Sequence, residues 1–516
     1  MLRRVMPVIG ASVCALLALA HDTDLHASHA CHIPSLSMHA LAAAFQPDAP
    51  AAQLSRHCVA ILTASSAVTA SNLVPPRPQS PHWDHIAISD FARGYYWSSE
   101  PTKDADRQWL AARVDLIEGN SATDPYVEAM RQWNPTLGVF RYRLDHYDFV
   151  NDKSRVYPES HVLHLTNATK ITLKSRDVGE QGLTFAPGDR FQFLVWNDRY
   201  VMFNLKDAST RQWNIHRLLS DLDGLQGLFL DAHAHDFPTV IGITNGQTKI
   251  ATGGGITEYG GRTPTDPTLI QDYQRDMVTW LTELAASAKA KGKFLLLNQA
   301  SYMLDPSAKQ QIIAANGTGT EFMHQPLAWA GWYQYADYLA LTKQLVDAGG
   351  VIDAEGHWCY TGNLDRARWN LWRLAAYYQI KEPVGSPGKV YLNLALCSNS
   401  NVRPSQDRPE WLPAYQVDVG QPIGQTTVFT EGKAGTSTSD GRQCDYKIYG
   451  REYTKALVLV RPKDFWDCTD YGDGAAVMVP LPKAMRLLRD DGTIGEPLSS
   501  VRIRNAEAVI LMKNAR

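Results

Sequence analysis

No surplus of positive charge marks this chain: 50 Lys and Arg stand against 53 Asp and Glu, a formal net charge of −3 over 516 residues. No global basic field therefore points to nucleic acid or an anionic lipid surface as a partner. The 7 cysteines include no CxxC pair, which argues against a structural zinc ribbon. Beyond the N-terminal region no apolar run is long enough to span a bilayer, so no stable membrane insertion is expected. Gly253-Gly254-Gly255 lacks the lysine and the spacing of a phosphate-binding loop and reads as a plain loop. There are no internal repeats. No cofactor is expected, and the preferred reading needs no bound metal.

What is present begins with an export signal. Arg3 and Arg4 precede an apolar run from Val5 to Ala20, and Ala18-Leu19-Ala20 offers small residues for cleavage. A second apolar stretch, Val59 to Ala70, follows Arg56 and would serve the same purpose if translation began at Met38. Either start assigns residues 1–80 to a signal peptide and linker, with Pro75-Pro76-Arg77-Pro78 stiffening its end, and places the mature protein outside the cell or in a periplasm. In such an oxidising compartment Cys444 with Cys468, and Cys359 with Cys397, are candidate disulfides.

After Trp83 short apolar runs alternate with amphipathic stretches, the pattern of a parallel α/β fold. Candidate strands are Ala92–Trp97, Val114–Glu118, Gly138–Arg143, Gly227–Asp231, Lys293–Asn298, Glu321–His324, Gly350–Glu355 and Lys389–Ala395. Thr268–Lys291 and Leu364–Gln379 carry helical periodicity between them. The expected fold is a (β/α)8 TIM barrel over residues 81–415, with a β-rich insertion after strand 3 (Phe149 to Leu194). A C-terminal β-sandwich domain over 416–516 follows, with strands at Lys455–Arg461, Ala475–Pro480 and Ala508–Met512. An open doubly wound sheet is the alternative.

In barrels of this kind chemistry gathers at strand C-termini. Gly227-Leu-Phe-Leu-Asp231 is an apolar strand ending in a carboxylate, and Glu321 opens the sixth candidate strand. Strand-ending acids also serve as helix caps or arginine partners, and a loop glutamate is often merely solvated. As a pair, however, Asp231 and Glu321 fit glycosidic cleavage, which needs a nucleophile or base and an acid, about 5–5.5 Å apart for retention and about 6.5–9.5 Å for inversion. Arg141 or Arg143 would keep the nucleophile ionised, and Phe322 and Met323 would raise the acid's pKa by desolvation. Asp145, Asn298, Tyr302, His324, Asp353 and Glu355 also fall at strand ends, with Asp353 and Glu355 the second choice for a catalytic carboxylate. Trp97, Trp196 and Trp358 would stack on sugar faces or pack the barrel top.

Asn197-Asp-Arg-Tyr200-Val-Met, Ala208-Ser-Thr-Arg-Gln-Trp213 and Gly227-Leu-Phe-Leu-Asp231, with Val114-Asp115-Leu-Ile-Glu118 and Phe140-Arg141-Tyr142-Arg143 upstream, resemble a family of glycoside-hydrolase-like TIM barrels. Arg451-Glu452-Tyr453 and Val479-Pro480-Leu481-Pro482 resemble the β-domain that follows many such barrels. More distantly the chain is similar to glycoside hydrolase family 114, the endo-α-1,4-polygalactosaminidases. That resemblance implies a carbohydrate substrate, Asp231 as nucleophile and Glu321 as acid/base. His233 and His235 depart from the family pattern, which has small polar residues there.

Asp231-Ala-His233-Ala-His235 also supports a competing reading, since metal-dependent amidohydrolases use a His-x-His pair at a strand end. Here the pair falls on the fourth strand, with only His324 and His357 to complete a site. A non-catalytic carbohydrate-binding barrel is the third reading, and it would tolerate loss of either carboxylate.

Overall fold

The structure is a computed structural model, and it describes residues 84–90, 104–119, 124–150, 157–175, 179–195, 198–231, 254–298, 306–319, 332–354, 366–394, 411–464 and 467–514. Along the chain, β1 (Ile88–Asp90), α1 (Asp104–Ala111), β2 (Leu116–Gly119), α2 (Asp124–Trp133) and β3 (Gly138–Leu144) open a β/α alternation. It is interrupted by β4 (Tyr147–Phe149), β5 (Thr169–Ser175), β6 (Gly179–Phe185), β7 (Gln192–Val195) and β8 (Asp198–Met202). It resumes with α3 (Ala208–Leu219), β9 (Gly227–Asp231), α4 (Pro267–Ala290), β10 (Phe294–Asn298), α5 (Pro306–Ala315) and β11 (Gly317–Gly319). Then come α6 (Trp332–Asp347), β12 (Val351–Ala354), α7 (Arg366–Ile380) and β13 (Lys389–Asn393). Last are β14 (Pro422–Thr436), β15 (Gln443–Tyr453), β16 (Ala456–Arg461), β17 (Val477–Leu488), β18 (Ile494–Ile503) and β19 (Glu507–Lys513).

The strands β1, β13, β12, β11, β10, β9, β3 and β2, in that order, close into an all-parallel barrel. Of the candidate strands, six coincide with barrel strands to within a residue or two. Two differ. The first barrel strand is Ile88–Asp90 rather than Ala92–Trp97, and the sixth is Gly317–Gly319 rather than Glu321–His324. The expected segments lie outside the described residues. Both misses have a physical source. Ser89 and Asp90 make β1 look polar, and Gly-Thr-Gly carries no apolar period to read. Glycine is required at the start of β11, because a Cβ on Gly317 would lie 2.0 Å from the Leu295 carbonyl oxygen of β10.

Local chemistry sets the helix boundaries. Asp207 caps α3 by accepting from the Thr210 amide at 2.8 Å, and these hydrogen bonds hold its carboxyl down at about 2. Asp266 does the same for α4 through Thr268, with Pro267 at the first helical position. Along α4, Leu269, Tyr273, Met277, Trp280, Leu281, Leu284 and Ala288 form its buried face. Each aliphatic side chain of this size withdrawn from water contributes about 1.5–3 kcal/mol before entropy is counted.

Between β3 and α3, β4, β8 and β7 form a three-stranded antiparallel sheet, and β5 with β6 a separate hairpin. The C-terminal region differs from the expected sandwich. Its described residues form one six-stranded antiparallel sheet, in the order β14-β15-β16-β19-β17-β18. One of its apolar clusters, around Ile448, Leu459, Val479, Ile503 and Leu511, is its own. Its other side, with Val458, Val460, Ile510 and Met512, shares a core with Trp369, Trp372, Tyr377 and Tyr378 of α7. The expected disulfide joins Cys444 of β15 to Cys468. Cys359 and Cys397 lie outside the described residues. Among the described residues, no helix is long and apolar enough to cross a membrane.

Candidate active site

Strand alternation builds the site. Ala87, Leu116, Phe140, Phe229, Leu296, Val351 and Tyr391 form one apolar cluster although they come from around the whole barrel. Only the barrel axis brings such residues together. Successive strand residues alternate between faces, so the positions two further on return to the same face nearer the C-terminal mouth. Those positions are Ser89, Glu118, Tyr142, Asp231, Asn298, Asp353 and Asn393. An apolar plug is thus topped by a layer of acids, amides and hydroxyls. β11 contributes Gly317 and Gly319 to the two layers, and so no side chain.

Part of this layer is tightly bonded. Asn393 donates from Nδ2 to Asp353 Oδ2 at 2.8 Å, Ser89 donates from Oγ to Asp353 Oδ1, and Glu118 belongs to the same layer from β2. All four side chains are fully buried. Burial pushes the Asp353 carboxyl above its ordinary range, while the bonds from Ser89 and Asn393 pull it back. Tyr142 stacks on Phe229 of the layer below, with ring centroids 6.2 Å apart.

The sequence-predicted residues divide. Asp231 closes β9, paired in register with Leu144 of β3, and its position belongs to the polar layer. Asn298 and Asp353 belong to that layer too. Arg141 and Arg143 fall on the opposite alternation of β3. Both guanidinium groups approach Asp221, Arg141 at 3.7 Å and Arg143 in direct contact, so in the described structure their shared anion is Asp221. Asp145 lies just past β3, buried, with its carboxylate on the His146 amide at 2.6 Å. Its carbonyl accepts from Asn214 and Arg217 of α3, each at 3.0 Å, which makes it a tie between strand and helix. Glu321, Trp97, Trp196, His233, His235, Tyr302, His324, Glu355 and Trp358 lie outside the described residues. Among the described residues no group of three or more His, Cys, Asp and Glu is placed to hold a metal ion.

Sequence reasoning missed Ser89, Glu118, Tyr142 and Asn393 as members of the layer. Their signal was present: they lie two residues past Ala87, Leu116, Phe140 and Tyr391 respectively, all apolar. Reading it requires knowing which alternation faces the axis.

No family model matches the chain, and no curated protein does. Solved structures with partial likeness include a xylosidase from Aspergillus niger, 9% identical with a TM-score of 0.36 over 86% of this chain and 65% of that one. A sulfoquinovosidase of the GH31 family from E. rectale is 11% identical, with a TM-score of 0.33 over 87% of this chain and 64% of that one. A cycloisomaltooligosaccharide glucanotransferase from Paenibacillus sp. is 8% identical, with a TM-score of 0.33 over 83% and 55%. The chain spans between about half and two thirds of the length of these proteins. Likeness at this level transfers no residue role.

Proposed function

We propose that this chain is an exported glycoside hydrolase acting on a carbohydrate through two carboxyl groups, Asp231 as nucleophile and Glu321 as acid/base. The observation that carries the reading is the position of Asp231, the last residue of the fourth strand of a closed parallel barrel, on the polar layer at the C-terminal mouth. In sequence Glu321 follows two residues after the end of β11, the sixth strand, and glycosidic cleavage needs a second carboxyl group beside the nucleophile. The layer at the barrel mouth offers hydroxyl, amide and carboxyl groups, which suits a polyhydroxylated ligand. The sequence resemblance to glycoside-hydrolase-like barrels, and distantly to family 114, supports the same pair. Export is consistent with a disulfide, which persists in oxidising compartments.

Turnover of a saccharide panel by the wild-type chain, Asp231→Asn and Glu321→Gln tests the proposal. Each variant should lose at least about a thousandfold in kcat with little change in fold. Proton NMR of the first-formed product should show retention of anomeric configuration. Near-normal turnover in both variants on a confirmed substrate would overturn the assignment.

A further inference from the structure

The six-stranded C-terminal sheet has two edges, β14 and β18. Pro497, in the interior of β18, removes a backbone donor from that edge strand. β14 has its one proline, Pro422, at its first residue, and its register shifts fall between Ile423 and Thr427, Val428 and Thr430, and Lys433 and Thr436. Between these shifts Thr430, Glu431, Gly432 and Lys433 run in regular antiparallel register with Ile448, Lys447, Tyr446 and Asp445 of β15. Among the described residues no strand pairs with the other side of this run, and Glu431, Gly432 and Lys433 are exposed. Such an edge presents a row of backbone donors and acceptors to an incoming strand. Val428 and Phe429, two of the large apolar residues left exposed on this chain, flank the run.

Charge decides which strand fits. Glu431 and Lys433 lie on the same face of β14, and each has an opposite charge across from it on β15, Lys447 at 3.3 Å and Asp445 at 3.4 Å. An antiparallel copy of the same strand, centred on Gly432, sets Glu431 opposite Lys433 of the second copy, and Lys433 opposite its Glu431. Each row of side chains then reads Lys447, Glu431, Lys433, Asp445, with the sign alternating at every step. Moving the centre by one residue, to Glu431 or to Lys433, puts like charges face to face, which is unfavourable. The charges therefore admit one register and reject its neighbours. We propose that β14 is a homodimerisation edge, which joins the C-terminal sheets of two copies of this chain through a two-fold antiparallel pairing centred on Gly432. The two-fold axis makes every charge pair occur twice. This pairing is independent of the catalytic assignment.

Sedimentation of the full chain over about 1–100 μM should show monomer passing into dimer, since association follows mass action. A monomer throughout would overturn the proposal. Glu431→Lys and Lys433→Glu each set like charges opposite one another twice, so each alone should dimerise at least about tenfold more weakly than the wild type. Mixed in equal amounts the two variants should dimerise again, because every facing pair is then of opposite sign. Variants that dimerise as tightly as the wild type, or a mixture that associates no better than its parts, would overturn it. Amide exchange of the wild type needs no variant to fold. Exchange over Thr430–Lys433 should slow as the dimer forms, and unchanged exchange there in a dimerising sample would equally overturn the proposal.

Discussion

The Asn393 amide donates to the Asp353 carboxyl at 2.8 Å from the neighbouring strand, and both side chains are fully buried. In water either group would find partners at no cost. Inside the barrel each depends on the other, and the acid layer keeps its form only while such donors are present. Asn393→Ala should therefore cost about 1.5–3 kcal/mol in urea unfolding, the usual value of a hydrogen bond to a charged group. It should also push the Asp353 carboxyl further up, since one of the bonds pulling it down is gone. A loss below about 0.5 kcal/mol would show that the amide is not a significant donor.

His85 gives the fold a dependence on acid. Its ring Nε2 lies 3.0 Å from the Tyr415 carbonyl, linking the entry to β1 with the segment that leads into β14. Burial lowers its pKa from the ordinary value, against the Tyr415 bond and Asp418, which raise it. The unfolded chain binds this proton more readily than the folded one. The stability His85 confers is thus present above about pH 6.5 and is lost as pH falls through its depressed folded value. Unfolding free energies measured between about pH 7.5 and 5 should fall more steeply in the wild type than in His85→Gln. Parallel curves would show that His85 takes no part.

How far the sequence discloses this molecule depends on which residues bear the evidence. Gly227–Asp231 is a continuous apolar run bounded by a glycine and an acid, so its strand and its end could be placed to the residue. β11 could not be, because Gly-Thr-Gly is chosen for close approach to β10 and leaves no hydrophobic pattern. Arg141 and Arg143 were assigned to the mouth by sequence proximity alone. Strand parity sends them the other way, and parity is fixed only once Phe140 and Phe229 are known to share the axis. Glu118 and Asp353 are far apart in sequence and on non-adjacent strands. Their placement in one layer is a product of barrel closure, which no local pattern encodes.

The C-terminal sheet is the last element to test, and its contacts tie it to α7 of the barrel. Arg451 of β15, buried, donates from Nη1 to the carbonyls of Tyr378, Gln379 and Lys381 at 3.1, 3.2 and 2.6 Å, satisfying the end of α7. The Tyr453 hydroxyl donates to the Tyr378 carbonyl at 2.6 Å, and Gln379 donates back to the Val458 carbonyl at 2.8 Å. Arg368 at the other end of α7 donates to the Tyr471 carbonyl at 2.8 Å and to that of Asn505. With these polar ends satisfied, Trp369, Trp372, Tyr377 and Tyr378 are free to share one apolar core with β16 and β19. A chain ending at residue 415 would expose that face and orphan the helix carbonyls together, each orphaned group costing about 1–3 kcal/mol. Such a truncation should fail to give a soluble cooperative fold, and the full chain should unfold in one calorimetric transition spanning barrel and sheet. A soluble 1–415 fragment with a sharp transition of its own would show instead that the barrel is complete without its C-terminal sheet.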